Sequence, residues 1–165
     1  MYTVIFICTG NTCRSPMAEA LLKSRLKTDG IKGVKADSCG LQPNEGDSVS
    51  PLAVKTLEKY GVKNFKHKAK ALTRALYDKA DLLICMTEGH KRLITGTAGG
   101  AEIVTVAALT GGGDVDDPWG GSEEAYFRTA QYLEYACADI ARYITDKMKQ
   151  RPKRVKKTGK EVKNK

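Results

Sequence analysis

Residues 2–22 constrain the fold of this 165-residue chain more than any other stretch. Tyr2-Thr3-Val4-Ile5-Phe6-Ile7 is a short run of β-branched and aromatic residues that ends at a turn carrying Gly10. Such a run reads as a strand buried on both faces. Pro16-Met17-Ala18-Glu19-Ala20-Leu21-Leu22 then supplies good helix formers. Ser15 suits a helix N-cap and Pro16 the first helical position, with the helix running to about Thr28 and closed by Asp29-Gly30. Cys8-Thr9-Gly10-Asn11-Thr12-Cys13-Arg14-Ser15 is therefore a strand-to-helix loop, with Cys8 at the carboxyl end of the first strand.

That position has a definite chemistry. Successive backbone N–H groups of a tight loop converge into an anion nest, and the helix behind adds the positive end of its dipole. Gly10 lets the backbone approach a ligand closely. Arg14 supplies a planar fork that matches two phosphate oxygens. The positive field at Cys8 favours thiolate over thiol. A thiolate held against a bound phosphoryl group is a nucleophile for phosphoryl transfer. The plainer alternative, an inert buried cysteine beside a surface arginine, does not explain C-x5-R-S-P set between a strand and a helix.

Strands and helices alternate along the rest of the chain. Val34–Ser38, Asp81–Met86 and Glu102–Val106 read as further strands. Ser50-Pro51 opens a helix ending near Tyr60-Gly61, and Thr73 caps a short helix through Lys79. A helix also follows Met86-Thr87-Glu88-Gly89-His90. Leu109–Pro118 reads as a long loop, after which Ser122 caps a long helix through about Lys149. Ala125, Thr129, Tyr132, Leu133, Ala136, Ile140, Tyr143 and Ile144 give that helix a core face. Alternation of this kind predicts an α/β fold: one three-layer α/β/α domain with a four-stranded parallel sheet. His67, among Lys66, Lys68 and Lys70, reads as a surface histidine, and His90 as a solvated helix histidine in preference to one lining the site mouth.

Two motifs carry a family resemblance. Cys8-Thr9-Gly10-Asn11-Thr12-Cys13-Arg14-Ser15-Pro16 resembles the signature loop of the low-molecular-weight phosphotyrosine phosphatases, and Asp117-Pro118-Trp119-Gly120-Gly121 their Asp-Pro-aromatic loop. The resemblance covers roughly nine-tenths of the chain, the usual size of one such domain. It implies the strand order 2-1-3-4 and catalysis by Cys8, Arg14 and Asp117, with a phosphocysteine intermediate. It also implies that Ser38 hydrogen-bonds Asn11 and holds the loop open, and that Ser15 donates to the thiolate as well as capping the helix. Asp117 is the general acid, because Pro118 holds the residue before it extended and the family's acid precedes the proline. Asp114 and Asp116 then read as solvated loop carboxylates. Trp119 either walls the cleft beside the phosphorylated side chain or is a buried structural residue.

Thr12 resembles the bacterial protein arginine phosphatase branch, where tyrosine phosphatases usually carry a bulky aliphatic residue. The implied activity is a protein arginine phosphatase, with a tyrosine phosphatase as the alternative and a thiol arsenate reductase behind both. The last needs a cysteine relay, and Arg92 stands where a partner for Cys85 would follow. Thr12 and Trp119 are the candidates for substrate selectivity. Substrates would be phosphorylated proteins; no metal, cofactor, nucleic acid or membrane is required.

Composition sets the remaining bounds. The five cysteines are odd in number and lack zinc spacing, which fits a reducing, cytoplasmic setting. Cys13 is placed to trap an oxidised Cys8 as a disulfide, or else it packs beneath the loop; Cys39 and Cys137 read as inert. The formal charge of +9 belongs to the end of the chain: residues 147–165 hold ten Lys or Arg and one Glu, and the other 146 residues hold eighteen of each sign. We expect residues 1–150 to form the phosphatase domain and 151–165 a disordered basic tail, a solubilising extension or a contact for an acidic partner.

Overall fold

The computed structural model describes residues 1–97 and 99–151. Strand β1 (Tyr2–Cys8) leads through the loop into helix α1 (Arg14–Thr28), followed by β2 (Val34–Gly40), α2 (Pro51–Glu58) and α3 (Arg74–Lys79). Then come β3 (Leu82–Cys85), α4 (Glu88–Ile94), β4 (Glu102–Thr105), α5 (Val106–Thr110) and α6 (Glu123–Gln150). The four strands form one parallel sheet in the order β2-β1-β3-β4. β1 pairs with β2 along its whole length, from Tyr2 opposite Val34 to Cys8 opposite Gly40, and with β3 from Val4 to Ile7.

Side chains alternate across a strand, so β1 feeds two cores. Val4, Phe6 and Cys8 pack with Met17 and Leu22 of α1, Leu57 of α2 and Leu133, Ile140 and Ile144 of α6. Ile5 and Ile7 pack on the other face with Tyr77 of α3, Leu83 and Cys85 of β3 and Ile94 of α4. A central strand buried on both faces explains why its sequence is apolar without alternation. These are the three layers that the alternation predicts and the sheet order that the resemblance implies.

Several local expectations are corrected. Ser15 is not an N-cap: α1 begins at Arg14, Cys13 occupies the cap position, and no side chain caps the helix. The Ser15 hydroxyl turns to Cys8, the other role that the resemblance implies for it. Ser50 precedes Pro51 as expected, but its hydroxyl donates to Tyr126 Oη at 3.0 Å and does not cap α2. The stretch read as loop from Leu109 begins inside a helix. Thr105 ends β4 by accepting a hydrogen bond from Ala108 N–H at 3.0 Å, which starts α5, and Gly111 closes it at φ 73°. On α6, Ala125, Tyr132 and Tyr143 lie at the edge of the core, and Tyr126, Ala130, Cys137 and Ala141 are buried instead. Thr73 and Ser122 cap their helices as read from the sequence.

The candidate tail residues 152–165 lie outside the described residues. Arg151 stacks over the Tyr2 ring at 4.7 Å and pairs with Asp81. No helix among the described residues is long and apolar enough to cross a membrane.

Candidate active site

β1 delivers Cys8 to the carboxyl edge of the sheet, where open α/β folds place their ligands. Its Sγ lies 3.3 Å from the backbone N–H of Asn11 and 2.9 Å from Ser15 Oγ. Ser15 has one proton to give, and the sulfur is closer than the Cys39 carbonyl at 3.5 Å. A thiolate at Cys8 is therefore met by two donors.

The loop keeps this shape because Asn11 is fully engaged. Asn11 sits at φ 56°, in the left-handed region that asparagine tolerates better than most residues. Its Nδ2 donates to Ser15 Oγ at 2.9 Å and to Ser38 Oγ at 3.1 Å. Its Oδ1 accepts from the Lys70 backbone N–H at 3.0 Å and meets His67 Nε2 at 2.9 Å. Because Oδ1 can only accept, His67 carries its proton on Nε2. Ser38 passes its own proton to Glu19 Oε2 at 2.7 Å. Glu19 is 5% exposed and also accepts from Lys23. Ser38 thus stands against Asn11 as the resemblance implied, and the chain of donors continues beyond it to a buried carboxylate.

His67 corrects a sequence expectation. Its side chain is buried, stacked on Phe65 and 3.7 Å from Glu19, where a surface histidine without a partner was expected. Burial pulls its pKa below the ordinary histidine value, although Glu19 acts the other way. The segment around it is extended, so Lys66 and Lys68 point outward while His67 points in. Its partners lie 56 and 48 residues away in sequence, where no local pattern reaches.

His90 is corrected likewise. It is 7% exposed, with Nε2 2.9 Å from Thr9 Oγ1 and Nδ1 2.9 Å from Thr87 Oγ1. Burial, and then the nearby Arg14, lower its pKa, so it braces Thr9 as a neutral ring. Gly40 is a further residue that sequence reasoning missed. A Cβ there would sit 2.5 Å from the Thr9 carbonyl oxygen and 3.1 Å from Asn11 Cβ. Any side chain at Gly40 would push the loop off β2. The only sequence signal was a glycine ending a strand that pairs beside the loop.

The loop, Asp117 and Trp119 enclose a cavity of about 210 Å3 lined by Cys8, Thr9, Gly10, Asn11, Thr12, Cys13 and Arg14. Arg14 is buried; its Nη1 donates to the Val115 carbonyl at 3.2 Å and its Nη2 pairs with Asp117 Oδ2 at 3.2 Å. Trp119 is 75% exposed, so of its two readings the cleft wall holds and the buried structural one does not. Its backbone N–H donates to Asp117 Oδ1 at 3.2 Å. Asp114 is not simply solvated: its Oδ1 accepts from the Glu88 N–H that opens α4, at 2.9 Å. Asp116 does not line the cavity.

Thr12 lies half-buried on the cavity wall, with Oγ1 3.6 Å from Cys13 Sγ. Cys13 is held from below by Tyr126 Oη at 3.1 Å, and burial raises its pKa. Cys39, Cys85 and Cys137 are pushed up to about 12 by burial and stay thiols. All five cysteines are free. Among the described residues, no three His, Cys, Asp or Glu gather as a metal site. The cleft brings together the Cys8 sulfur, the loop to Arg14 with its guanidinium, and the Asp117 carboxylate.

Comparison with known proteins identifies the family. The family model for low molecular weight phosphotyrosine protein phosphatase matches residues 3–155. A protein-arginine-phosphatase of Bacillus subtilis is 39% identical over 146 residues, which cover 86% of this chain and 95% of that protein. The low molecular weight protein-tyrosine-phosphatase PtpB of Staphylococcus epidermidis is 37% identical over 128 residues, covering 76% and 87%. A solved YwlE arginine phosphatase mutant with a phosphorylated active-site serine aligns with a TM-score of 0.82 at 36% identity, over 89% of this chain and 98% of that one. The chain belongs to the low molecular weight phosphotyrosine protein phosphatase family.

Proposed function

We propose that this protein is a protein arginine phosphatase that works through a phosphocysteine at Cys8. The backbone N–H groups of Thr9 to Arg14 and the Arg14 guanidinium hold the three equatorial phosphoryl oxygens. Cys8 Sγ attacks phosphorus in line; the S–P bond forms as the bond from phosphorus to the guanidine nitrogen breaks. Asp117 gives its proton to that nitrogen, which leaves poorly as an anion. The phosphoryl group competes with Asp117 for Arg14, which frees the Asp117 carboxyl to face that nitrogen. Water then attacks phosphorus and loses its proton to Asp117, and the S–P bond breaks to return the thiolate. The catalytic assignment is supported by the two donors aimed at Cys8 Sγ and by Asp117 standing across the cavity from the loop.

Thr12 carries the choice of arginine. It lines the mouth that the leaving group must pass. A bulky aliphatic side chain would leave guanidine N–H donors unpaired, at about 1–3 kcal/mol for each buried group. A hydroxyl can accept from them. The relative of Bacillus subtilis, named a protein-arginine-phosphatase, supports this reading. Thr12→Ile is expected to lower phosphoarginine turnover roughly tenfold or more while phosphotyrosine turnover holds or rises. Kinetics on matched phosphopeptides decide it; parallel changes, or a wild-type preference for phosphotyrosine, would replace the arginine reading with a tyrosine phosphatase. The exposed Trp119 ring favours that second reading, since it offers a stacking face to a phenyl group.

A redox role for Cys13 belongs to the same proposal. Peroxide oxidises the Cys8 thiolate to a sulfenic acid; Cys13 sulfur then attacks it, water leaves and an S–S bond forms. A dithiol reductant restores both thiols. Mass spectrometry after mild peroxide should find the Cys8–Cys13 bond, and Cys13→Ser should lose reductant recovery through over-oxidation. Unchanged recovery in Cys13→Ser would leave Cys13 as packing against Tyr126.

A further inference from the structure

Beside the catalytic cavity lies a second one of about 380 Å3, lined by Thr9, Leu41, Gln42, His90, Leu93 and Ile94. Thr9 belongs to both, so the two cavities share a wall. The second is built rigidly onto the catalytic loop. Leu41 N–H donates to the Cys8 carbonyl and Gln42 N–H to the Thr9 carbonyl, each at 3.0 Å. From the other side His90 Nε2 meets Thr9 Oγ1 at 2.9 Å. The remaining wall is apolar: Ile94 is buried, and Leu93 turns a side chain that is 76% exposed toward solvent at the rim. Among the described residues, no Lys, Arg, Asp or Glu lines the groove, and burial keeps His90 toward its neutral form.

We propose that this groove is a specificity subsite, taking an apolar side chain of the phosphoprotein that flanks its phosphorylated residue. The inference rests on the phosphoprotein phosphatase reading. Thr9 is exposed and lines both cavities, so with the phosphoryl group seated on the loop from Thr9 to Arg14 a substrate chain that leaves past Thr9 meets the groove. An uncharged lining around Leu41, Leu93 and Ile94 gains from burying apolar surface and would desolvate a charged side chain without a partner. Trp119 holds the phosphorylated residue's own side chain, and Leu93 then reads its neighbour.

The test uses short peptides, each carrying one phosphoarginine or one phosphotyrosine, with leucine or serine scanned through the two positions on either side. Filling an apolar subsite is worth roughly tenfold or more in kcat/KM. The wild-type enzyme is expected to favour leucine over serine by about that factor at one flanking position and not at the others. Leu93→Ser should bring the ratio close to one, and Leu93→Met should keep it. An aryl phosphate run alongside reports whether the catalytic loop is intact, since damage there lowers all substrates together. A wild-type ratio near one at every position, or an unchanged ratio in Leu93→Ser, overturns the proposal. If the aryl phosphate turns over and no phosphopeptide does, the phosphoprotein reading itself has failed and the subsite falls with it.

Discussion

Cys8→Ser is expected to lower turnover by roughly 10^4-fold or more while leaving the binding of inorganic phosphate intact. A serine hydroxyl at this position is a far poorer nucleophile than a thiolate, and nothing stands near it to take its proton: Ser15 and the Asn11 N–H both face the sulfur as donors. The phosphate cradle is made of backbone and Arg14, which the substitution does not touch. Arg14→Ala should lose both functions. It removes a buried guanidinium whose hydrogen bonds to a charged group are worth about 1.5–3 kcal/mol each, and it unties Val115 and Asp117. Phosphate titration beside single-turnover kinetics separates the two variants. Wild-type rates in Cys8→Ser would end the cysteine phosphatase reading.

The second large effect is at Asp117. Asp117→Asn keeps the shape of the side chain and removes its proton, so its cost should follow the leaving group. Hydrolysis of phosphoarginine or phosphotyrosine is expected to slow by about 10^2–10^4-fold, and of an aryl phosphate with a good leaving group much less. The same change frees Arg14 from its ion pair, so phosphate should bind at least as tightly as before. A leaving-group series measured on both enzymes checks this. Equal losses across the series, or a larger loss from Asp116→Asn, would place the acid elsewhere.

β1, β3 and β4 were legible because they are short, mostly apolar runs between helical segments, a local property, whereas the strand order came only with the family resemblance. The loop chemistry was legible for a similar reason: Cys8, Asn11, Arg14 and Ser15 fall within eight consecutive residues. What the sequence hid was the support behind the loop. Glu19 reads as one more helix former, and His67 as one more polar residue among lysines. They join Ser38 and Asn11 only after β2 and the segment near Lys70 have been laid beside the loop. His90 was misread because its burial depends on Thr9, 81 residues earlier. Of the two roles expected of Ser15, the contact with the sulfur is present and the cap is not, because a capping serine and a serine donating to a sulfur look the same in sequence. α5 was missed because five residues give no period to read.

The two sides of the cleft differ in how firmly the chain holds them. The cradle hangs from β1, which is hydrogen-bonded on both edges and buried on both faces, so its amides are among the last a molecule of this kind exposes to solvent. The opposite side is pinned at Val115, whose N–H bonds the Met86 carbonyl, and then runs as irregular chain through Asp117 to an exposed Trp119. The Cys8 side is held by a whole sheet, whereas the Asp117 side is held by single ties: Val115 N–H to Met86, Glu88 N–H to Asp114, Thr129 Oγ1 to the Asp116 carbonyl, and the Arg14–Asp117 pair. The expected consequence is that amides from Val115 to Gly121 exchange with solvent well before those of β1, which hydrogen exchange read by mass spectrometry can check.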